Sequence, residues 1–428
     1  MSNKTKQWGA IIVMIALFAM IAFVTNLCSP MSVIVKNEFG ASNFLSQIGN
    51  YGNFIAYLIM GIPSGMLIKR FGYKKTALMA LAVGVVGILV QWASGSMGFT
   101  VYLVGAFISG FCMCMLNTVV NPMLNMLGGG GNKGNQLIQI GGVFNSAAAV
   151  AIYILMGALI GEAAKAHISD ATPALMIALA IFVIGFFVIL FTNIPEPEQI
   201  KEEKTAKDEH SALSFRHFKL GLFAIFLYGG IEVGTPTYIM QYLTALPTDA
   251  TPGLGMDAGI VGLICAVYWL LMLVGRFIGG AIGGKVSSKT MISAVSVLAL
   301  ILLVAGILLP TSMRINVPGI DWANLSIIWA EVPVGIFAFL LIGLCTSVMW
   351  GGIFNLATEG LGKYTAMASG MFMTMVAGFA IMIGLQGWIA DLTGNYLTSY
   401  IVVIFCAVYI LFYALVGSKN VNKDIKVD

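Results

Sequence analysis

Residues 51–95 read YGNFIAYLIMGIPSGMLIKRFGYKKTALMALAVGVVGILVQWASG. Two apolar runs in this stretch flank a short turn that holds Lys69, Arg70, Lys74 and Lys75. About twenty apolar residues are enough for a helix to cross the hydrocarbon core of a bilayer. The stretch therefore predicts two transmembrane helices joined by a tight basic turn.

Apolar runs of this length recur along the whole chain. Of its 428 residues, 59% are hydrophobic and only 9% are charged, whereas soluble domains have about 25% charged residues. The runs are too long and too uniform for the alternating segments of an outer-membrane barrel. We therefore predict an all-α membrane protein with twelve transmembrane helices. The spans, numbered one to twelve, are placed at residues 9–35, 44–68, 76–94, 99–126, 137–161, 171–192, 218–244, 257–282, 290–309, 333–357, 366–390 and 396–417.

A charged segment divides these spans into two groups of six. Ten charged residues lie between Glu196 and Arg216, a pattern more typical of a solvated loop than of a regulatory segment. We predict an N-terminal six-helix bundle at 1–193, a cytoplasmic linker at 194–217 and a C-terminal bundle at 218–428. Small basic turns follow both span two and span eight, and this weak repeat is typical of secondary transporters with a path between two halves.

Lysine and arginine are distributed unevenly between the loops. Of the 22 such residues, eighteen fall on the side of the N-terminus, three (Lys36, Lys165 and Arg314) fall on the other side, and Arg276 lies within a span. By the positive-inside rule, this bias predicts that both termini and the linker are cytoplasmic in the cell inner membrane. Residues 1–8 show no small-residue cleavage site, so we expect span one to be retained.

Several classes of function are disfavoured by what the chain contains. The net charge of +4 is not gathered into a basic face with interleaved aromatics, so we expect no nucleic-acid partner. All six cysteines fall in apolar segments, so we expect no disulfides and no metal site. No phosphate-binding loop occurs, and we predict no cofactor. His167, His210 and His217 are assigned to loops, which disfavours a membrane enzyme.

Residues 65–75 resemble the loop signature of the major facilitator superfamily, Gly-x-x-x-Asp-Arg/Lys-x-Gly-Arg/Lys-Arg/Lys, with Lys69 at the usual Asp position. This departure, preceded by Pro63-Ser64-Gly65, is similar to the fucose/galactose/glucose symporter family of that superfamily. Further stretches that resemble the family are Asn121-Pro122 with Leu127-Gly128, Phe144-Asn145-Ser146, Tyr228-x-Gly230-x-Glu232-Val233, Gly275-Arg276-Phe277-Ile278-Gly279, and Ile353-Phe354-x-Leu356 with Gly360-Leu361-Gly362.

The resemblance implies the major facilitator fold, with twelve helices in two pseudo-symmetric bundles that import hexoses or deoxyhexoses, usually with protons. Two acids of the family pattern align with Ser29 and Asn117 here, and a glutamine aligns with Gly142. Proton coupling therefore does not carry over directly. Glu232 is left as the only carboxylate near the middle of a span.

Glu232 is the strongest single candidate for a functional residue in the sequence. An acid at the centre of a membrane helix costs roughly 2.5–3.5 kcal/mol, so it requires a partner or a water-filled cavity. We predict that Glu232 couples transport to a cation and binds sugar. The alternative is a structural acid that ties span seven to a neighbouring helix.

Other polar and aromatic side chains recur at helical spacing within the spans. Tyr228, Glu232 and Thr235 share one face of span seven, and Pro236 predicts a kink there. Hydroxyls, amides and aromatic rings suit a sugar, although packing between helices is the alternative for each. Besides Glu232, the predicted substrate-binding residues are Gln47, Asn50, Tyr51, Asn117, Asn121, Asn145, Tyr228, Trp350 and Asn355. For Asn121 the alternative is to satisfy backbone groups freed by Pro122.

Arg276 lies near the cytoplasmic end of span eight, where we predict that it clamps neighbouring helices together. We assign Lys69 and Arg70 to topology and gating. Together, these features predict a monomeric secondary transporter, embedded in the lipid bilayer, that imports a monosaccharide by alternating access in symport with a proton or sodium ion. The alternatives are a sugar uniporter, or an exporter or nutrient sensor with the same fold.

Overall fold

A computed structural model describes residues 2–40, 42–128, 131–155, 167–194, 210–283, 286–321, 324–422, 424, 425 and 427. Within these residues, twelve helical segments are long and apolar enough to cross a membrane, which confirms the predicted span count. The charged residues of the predicted linker between 195 and 209, and the end of predicted span five, lie outside the described residues.

The first half contains spans one to six. Span one is α1 (Ser2–Phe39), and the short α2 (Asn43–Ser46) leads into α3 (Ile48–Met97), which holds spans two and three. Spans four, five and six are α4 (Phe99–Leu127), α5 (Gly131–Ile154) and α6 (Thr172–Phe191). Gly72 interrupts α3 with a φ of 81°, a left-handed conformation that glycine adopts without strain. The chain therefore reverses at the basic turn that the sequence predicted.

The second half contains spans seven to twelve. Several of these spans are made of two consecutive helices, and the chain order includes one pair of strands. The elements are α7 (Arg216–Glu232), α8 (Gly234–Thr244), α9 (Ala258–Ile282), α10 (Ser288–Leu308), β1 (Arg314–Asp321), β2 (Ser326–Pro333), α11 (Gly335–Thr346), α12 (Met349–Thr358), α13 (Thr365–Thr374), α14 (Gly378–Thr393) and α15 (Ile401–Phe412). Span seven is thus α7 with α8, span eight is α9, span ten is α11 with α12, and span eleven is α13 with α14.

Two features of the second half differ from the expectations. The loop between spans nine and ten forms an antiparallel hairpin in which Gly319 pairs with Ile328, whereas the sequence predicted helices only. A Cβ at Gly259 would overlap the carbonyl oxygen of Ile320, so the hairpin lies directly against the start of span eight. His217 lies in α7 rather than in a loop, and it is fully buried with its Nε2 2.9 Å from the carbonyl oxygen of Glu359.

Two pairs of helices bring the halves into close contact. Spans two and eleven approach at Gly61, where an added Cβ would lie 2.5 Å from the Thr374 hydroxyl. Spans five and eight pack with the Tyr153 and Trp269 rings stacked at 6.1 Å. We call the end of the bundle that carries the 69–75 turn the basic end, and the opposite end, which carries β1 and β2, the hairpin end.

On the basic-end side of this contact, spans two and eleven leave space beside two glycines. Gly65 lies one turn beyond Gly61 on the same face, and Gly370 lies one turn before Thr374. A Cβ added at Gly65 or at Gly370 meets no described atom within 4 Å. Spans five and eight remain close near the basic end. A Cβ added at Gly280 would lie 3.8 Å from the Cβ of Gln139.

Candidate functional site

Glu232 and Arg276 form an ion pair in the second half. Glu232 is the last residue of α7, and its Oε1 lies 3.5 Å from Nη2 of Arg276 in span eight. The two side chains are only 12% and 10% exposed. Removing one partner of a buried pair leaves the other charge uncompensated, so each residue makes the burial of the other tolerable.

The same guanidinium also reaches the first half. Nη1 of Arg276 donates to the carbonyl oxygen of Gly142 at 2.7 Å, to the Ser146 hydroxyl at 2.9 Å and to Oδ1 of Asn145 at 3.3 Å. All three acceptors lie in span five. Asn145 in turn donates to the carbonyl oxygen of Phe18 in span one at 3.1 Å. Arg276 therefore joins the Glu232 carboxylate to the opposite half of the protein.

Gly142 makes room for this contact. A Cβ built at Gly142 would lie 3.2 Å from Cδ of Arg276, which is closer than an ordinary van der Waals contact. The carbonyl of the same residue accepts the shortest of the three bonds from Arg276. The sequence marked Gly142 only as a departure from a family pattern, and its contact with Arg276 supplies a physical reason for a small residue there.

The backbone carbonyl of Glu232 is also hydrogen-bonded to span eight. Span seven breaks at Val233, and Pro236 has no N–H to donate to the Glu232 carbonyl one turn earlier. The Tyr268 hydroxyl of span eight lies 3.0 Å from that carbonyl oxygen and 3.3 Å from the carbonyl oxygen of Ile231. The predicted kink is therefore a break at which a neighbouring tyrosine replaces the missing backbone bond.

Aromatic rings gather next to the ion pair. Tyr228 is buried beside Glu232, and its ring centroid lies 6.1 Å from that of Trp350 and 5.9 Å from that of Phe379. Phe379 also packs on Phe54 of span two at 5.2 Å. The Tyr228 hydroxyl donates to the carbonyl oxygen of Thr346 at 3.2 Å. Rings from both halves thus meet around span eleven, and Phe379 was not among the predicted residues.

The asparagines of span four bond within the first half. Nδ2 of Asn117 lies 2.7 Å from the Tyr57 hydroxyl, and Nδ2 of Asn121 donates to the Asn117 carbonyl at 2.9 Å. Pro122 frees the Thr118 carbonyl instead, so Asn121 does not satisfy the group for which the sequence alternative proposed it. Both asparagines remain partly exposed.

Between the aromatic rings and the hairpin end, a polar junction links the halves. Gln47 and Gln241 each place Nε2 3.1 Å from the hydroxyl of Ser32, and all three side chains are buried. The Tyr51 hydroxyl is also buried, but it has no hydrogen-bond partner among the described residues. Ser32 and Gln241 are therefore contact residues that the list of predicted site residues omitted.

Of the remaining predicted residues, two have described side chains. Asn355 is partly exposed on α12, and Arg70 is exposed with its guanidinium 5.1 Å from the Phe71 ring centroid. The side chains of Ser29, Asn50 and Lys69 lie outside the described part of the chain.

At the hairpin end, polar residues connect loops of the two halves. Asp391 accepts hydrogen bonds from Nδ2 of Asn43 at 2.7 Å and from its backbone nitrogen at 3.1 Å. The Tyr396 hydroxyl donates to Oδ1 of Asn43 at 2.7 Å. Lys36 pairs with Asp249 at 3.2 Å and donates to Tyr396 at 3.0 Å. Neither composition nor spacing singled out Asn43, Asp249, Asp391 or Tyr396.

The sequence model of the Major Facilitator Superfamily matches residues 13–385. The chain belongs to the major facilitator superfamily. Membership in this superfamily of transporters confirms the prediction of a membrane transporter rather than an enzyme, and the predicted two-bundle fold of twelve helices.

Curated relatives of this superfamily member also confirm the sugar-permease resemblance. A glucose/galactose transporter of Brucella abortus biovar 1 (strain 9-941) is 30% identical over 433 residues, which cover 98% of this chain and 97% of that protein. The L-fucose-proton symporter of Escherichia coli (strain K12) is 23% identical over 432 residues, covering 95% of this chain and 92% of the symporter.

Solved structures of the superfamily share the fold. The crystal structure of FucP, a major facilitator superfamily transporter in the outward conformation, superimposes with a TM-score of 0.70 at 23% identity. The match covers 96% of this chain and 99% of FucP.

Proposed function

We propose that this protein imports a monosaccharide through the cell inner membrane by alternating access, and that a cation acting at Glu232 drives accumulation. The observation that carries the proposal is the Arg276 guanidinium, which bonds Glu232 in one half and three groups of span five in the other. The relatives named as glucose/galactose transporters and fucose-proton symporters support a sugar as the substrate.

Sugar recognition draws on aromatic rings near the ion pair and on amides of the first half. Sugars have apolar ring faces that stack on aromatic side chains, and hydroxyls that both donate and accept hydrogen bonds. Trp350 and Tyr228 supply rings, while Asn117, Asn121 and Asn145 supply amides from the first half. A monosaccharide bound between these groups contacts both halves.

Cation coupling follows from the charge balance of the pair. A proton or a sodium ion on the Glu232 carboxylate competes directly with the Arg276 guanidinium, because both satisfy the same negative charge. Arg276 then keeps only its bonds to Gly142, Asn145 and Ser146. Occupancy of Glu232 by a cation thereby changes how strongly spans seven and eight are held to each other.

The arrangement of the helices supports an inward-facing state. If the basic end faces the cytoplasm, as the lysine and arginine bias predicts, the bonds at the hairpin end close the outer side. The space beside Gly65 and Gly370 would then lie on the cytoplasmic side. We further propose that the transporter works as a monomer, because each half contributes to one site within a single chain.

Uptake of labelled hexoses and deoxyhexoses into proteoliposomes tests this proposal. We expect accumulation of at least one sugar above its outside concentration under an imposed proton or sodium gradient. Equilibration without accumulation under either gradient would establish a uniporter, the alternative favoured by Asn117 and Ser29 at the positions of the family acids. Absence of uptake of every sugar, together with absence of binding in calorimetry, would overturn the proposal in favour of export or sensing.

A further inference from the structure

We propose that Lys36, Asn43, Asp249, Asp391 and Tyr396 form an outer latch, whose closure sets how often the hairpin end of the transporter opens. The inference rests on the proposed alternating access. It assigns a role in transport to five residues that lie away from the Glu232 site.

Asp391 is the centre of the latch. Its Oδ1 accepts bonds from the side chain and the backbone of Asn43, and its Oδ2 accepts one from the backbone of Phe44 at 3.0 Å. All three bonds are charge-assisted, because the acceptor is a carboxylate, and such bonds are about twice as strong as neutral ones. Asp391 lies in span eleven, whereas Asn43 and Phe44 precede span two, so every bond joins the two halves.

Through Asn43, the latch also includes the loops that follow spans seven and eleven. Its side chain is 2% exposed and uses both of its ends, since Nδ2 donates to Asp391 and Oδ1 accepts from Tyr396. Lys36 then donates to Tyr396 and pairs with Asp249, which also accepts a bond from the backbone of Leu246 at 3.1 Å.

The placement of these bonds distinguishes a latch from an ordinary structural contact. The first half contributes Lys36 and Asn43. The second half contributes Asp249 from the loop after span seven, Asp391 from the end of span eleven and Tyr396 from the loop that follows it. A rigid-body separation of the halves at this end has to break all of these cross-links. The halves are also in close contact here, since a Cβ at Gly387 would lie 3.3 Å from the Asn43 carbonyl oxygen.

Closing this end has an opposing cost. Tyr51 lies in the first turn of α3, and its hydroxyl is buried without a hydrogen bond to a described residue. A buried polar group that lacks a partner destabilises the state that buries it. The latch bonds therefore favour the closed state, and the buried Tyr51 hydroxyl favours the open state. This balance suits an end that must open in every transport cycle.

Labelling of Tyr51→Cys in the purified protein tests the latch. This position is buried when the halves touch, and the tyrosine hydroxyl that it removes makes no hydrogen bond to a described residue. We expect Asp391→Ala, which removes all three charge-assisted bonds, to raise the rate of reaction with a water-soluble maleimide by about tenfold, a factor that the loss of even one such bond can supply. Lys36→Met should raise it by a smaller factor. The same chain without Tyr51→Cys gives the background from the six native cysteines.

Asp321→Ala is the matched control. Asp321 bonds the backbone nitrogen of Asn324 at 3.1 Å and its Nδ2 at 2.7 Å, so it repeats the Asp–Asn pattern at the same end but within one half. We expect its labelling rate to equal that of the parent. Equal labelling rates for Asp391→Ala, Lys36→Met and the parent, in folded protein with an unchanged elution volume, would overturn the latch. Because no sugar is used, that result would leave the proposed substrate untouched.

Discussion

The Arg276 guanidinium lies 3.5 Å from the Glu232 carboxylate with one nitrogen, while its other terminal nitrogen bonds span five. One side chain therefore balances the only acid near the centre of the described spans and holds the two halves together. Under the proposed coupling, a cation on Glu232 would therefore act on the same arginine that contacts the other half.

Glu232→Gln keeps the shape of the side chain and removes its charge. We expect accumulation under an ion gradient to be abolished, because the amide neither takes up a proton nor supplies a negative charge to a sodium ion. Exchange of labelled for unlabelled sugar across the same liposomes should persist. Loss of both activities would show that Glu232 binds sugar itself. Glu331→Gln, which alters an exposed acid on β2, should leave accumulation at the level of the unaltered protein.

Gly142→Ala places a methyl group 3.2 Å from Cδ of Arg276. Overpacking of this kind costs about 1–3 kcal/mol, and here the strain falls on the guanidinium bridge. We expect a lower rate of uptake and a lower thermal midpoint. The control is Gly280→Ala in the same pair of spans, whose methyl group meets Gln139 at an ordinary 3.8 Å. Equal rates for the two variants would argue against a tight fit at Gly142.

Tyr268→Phe removes the hydroxyl that serves the carbonyls of Ile231 and Glu232. We expect a loss of about 1 kcal/mol in stability, the net value of a typical intramolecular hydrogen bond. Tyr51→Phe is the paired comparison, because its hydroxyl is buried without a partner among the described residues and its removal should be neutral or stabilising. Thermal unfolding in one detergent compares the two. A larger loss for Tyr51→Phe would contradict the assigned hydrogen bonds.

Trp350 should report sugar binding through its fluorescence, because it packs on Tyr228 and Phe372 next to the ion pair. Titration of the purified protein with the transported sugar should change the emission of its seven tryptophans. We expect Trp350→Phe to remove most of this change. Trp388→Phe alters a ring of span eleven that is 53% exposed, and it should preserve the change. A signal that survives Trp350→Phe would place the sugar elsewhere.

The twelve spans could be predicted from the sequence because crossing a membrane depends on the length of an apolar run, which is a local property. The sequence also predicted that Glu232 needs a partner, because this follows from the cost of burying one charge. That Arg276 is the partner was not predictable, because it depends on how spans seven and eight are rotated against each other.

Contacts between the halves were harder still. Asn43 and Asp391 are 348 positions apart, and each occurs in an unremarkable polar stretch at the end of a span. The hairpin was missed for a different reason. Residues of β1 and β2 alternate only weakly in polarity, with Ile327 and Trp329 exposed on the outer face, so the strand signal was faint.

The break in span seven has a mechanical consequence. A proline that frees a carbonyl ordinarily makes a helix pliable, but here Tyr268 anchors that carbonyl while Arg276, two turns further along the same helix, anchors the carboxylate of the same residue. Because span eight holds the break in span seven at two points, the break is rigid rather than flexible. While the Glu232–Arg276 pair is intact, spans seven and eight should therefore move as one unit, and the bending that opens either end of the path has to occur elsewhere in the chain.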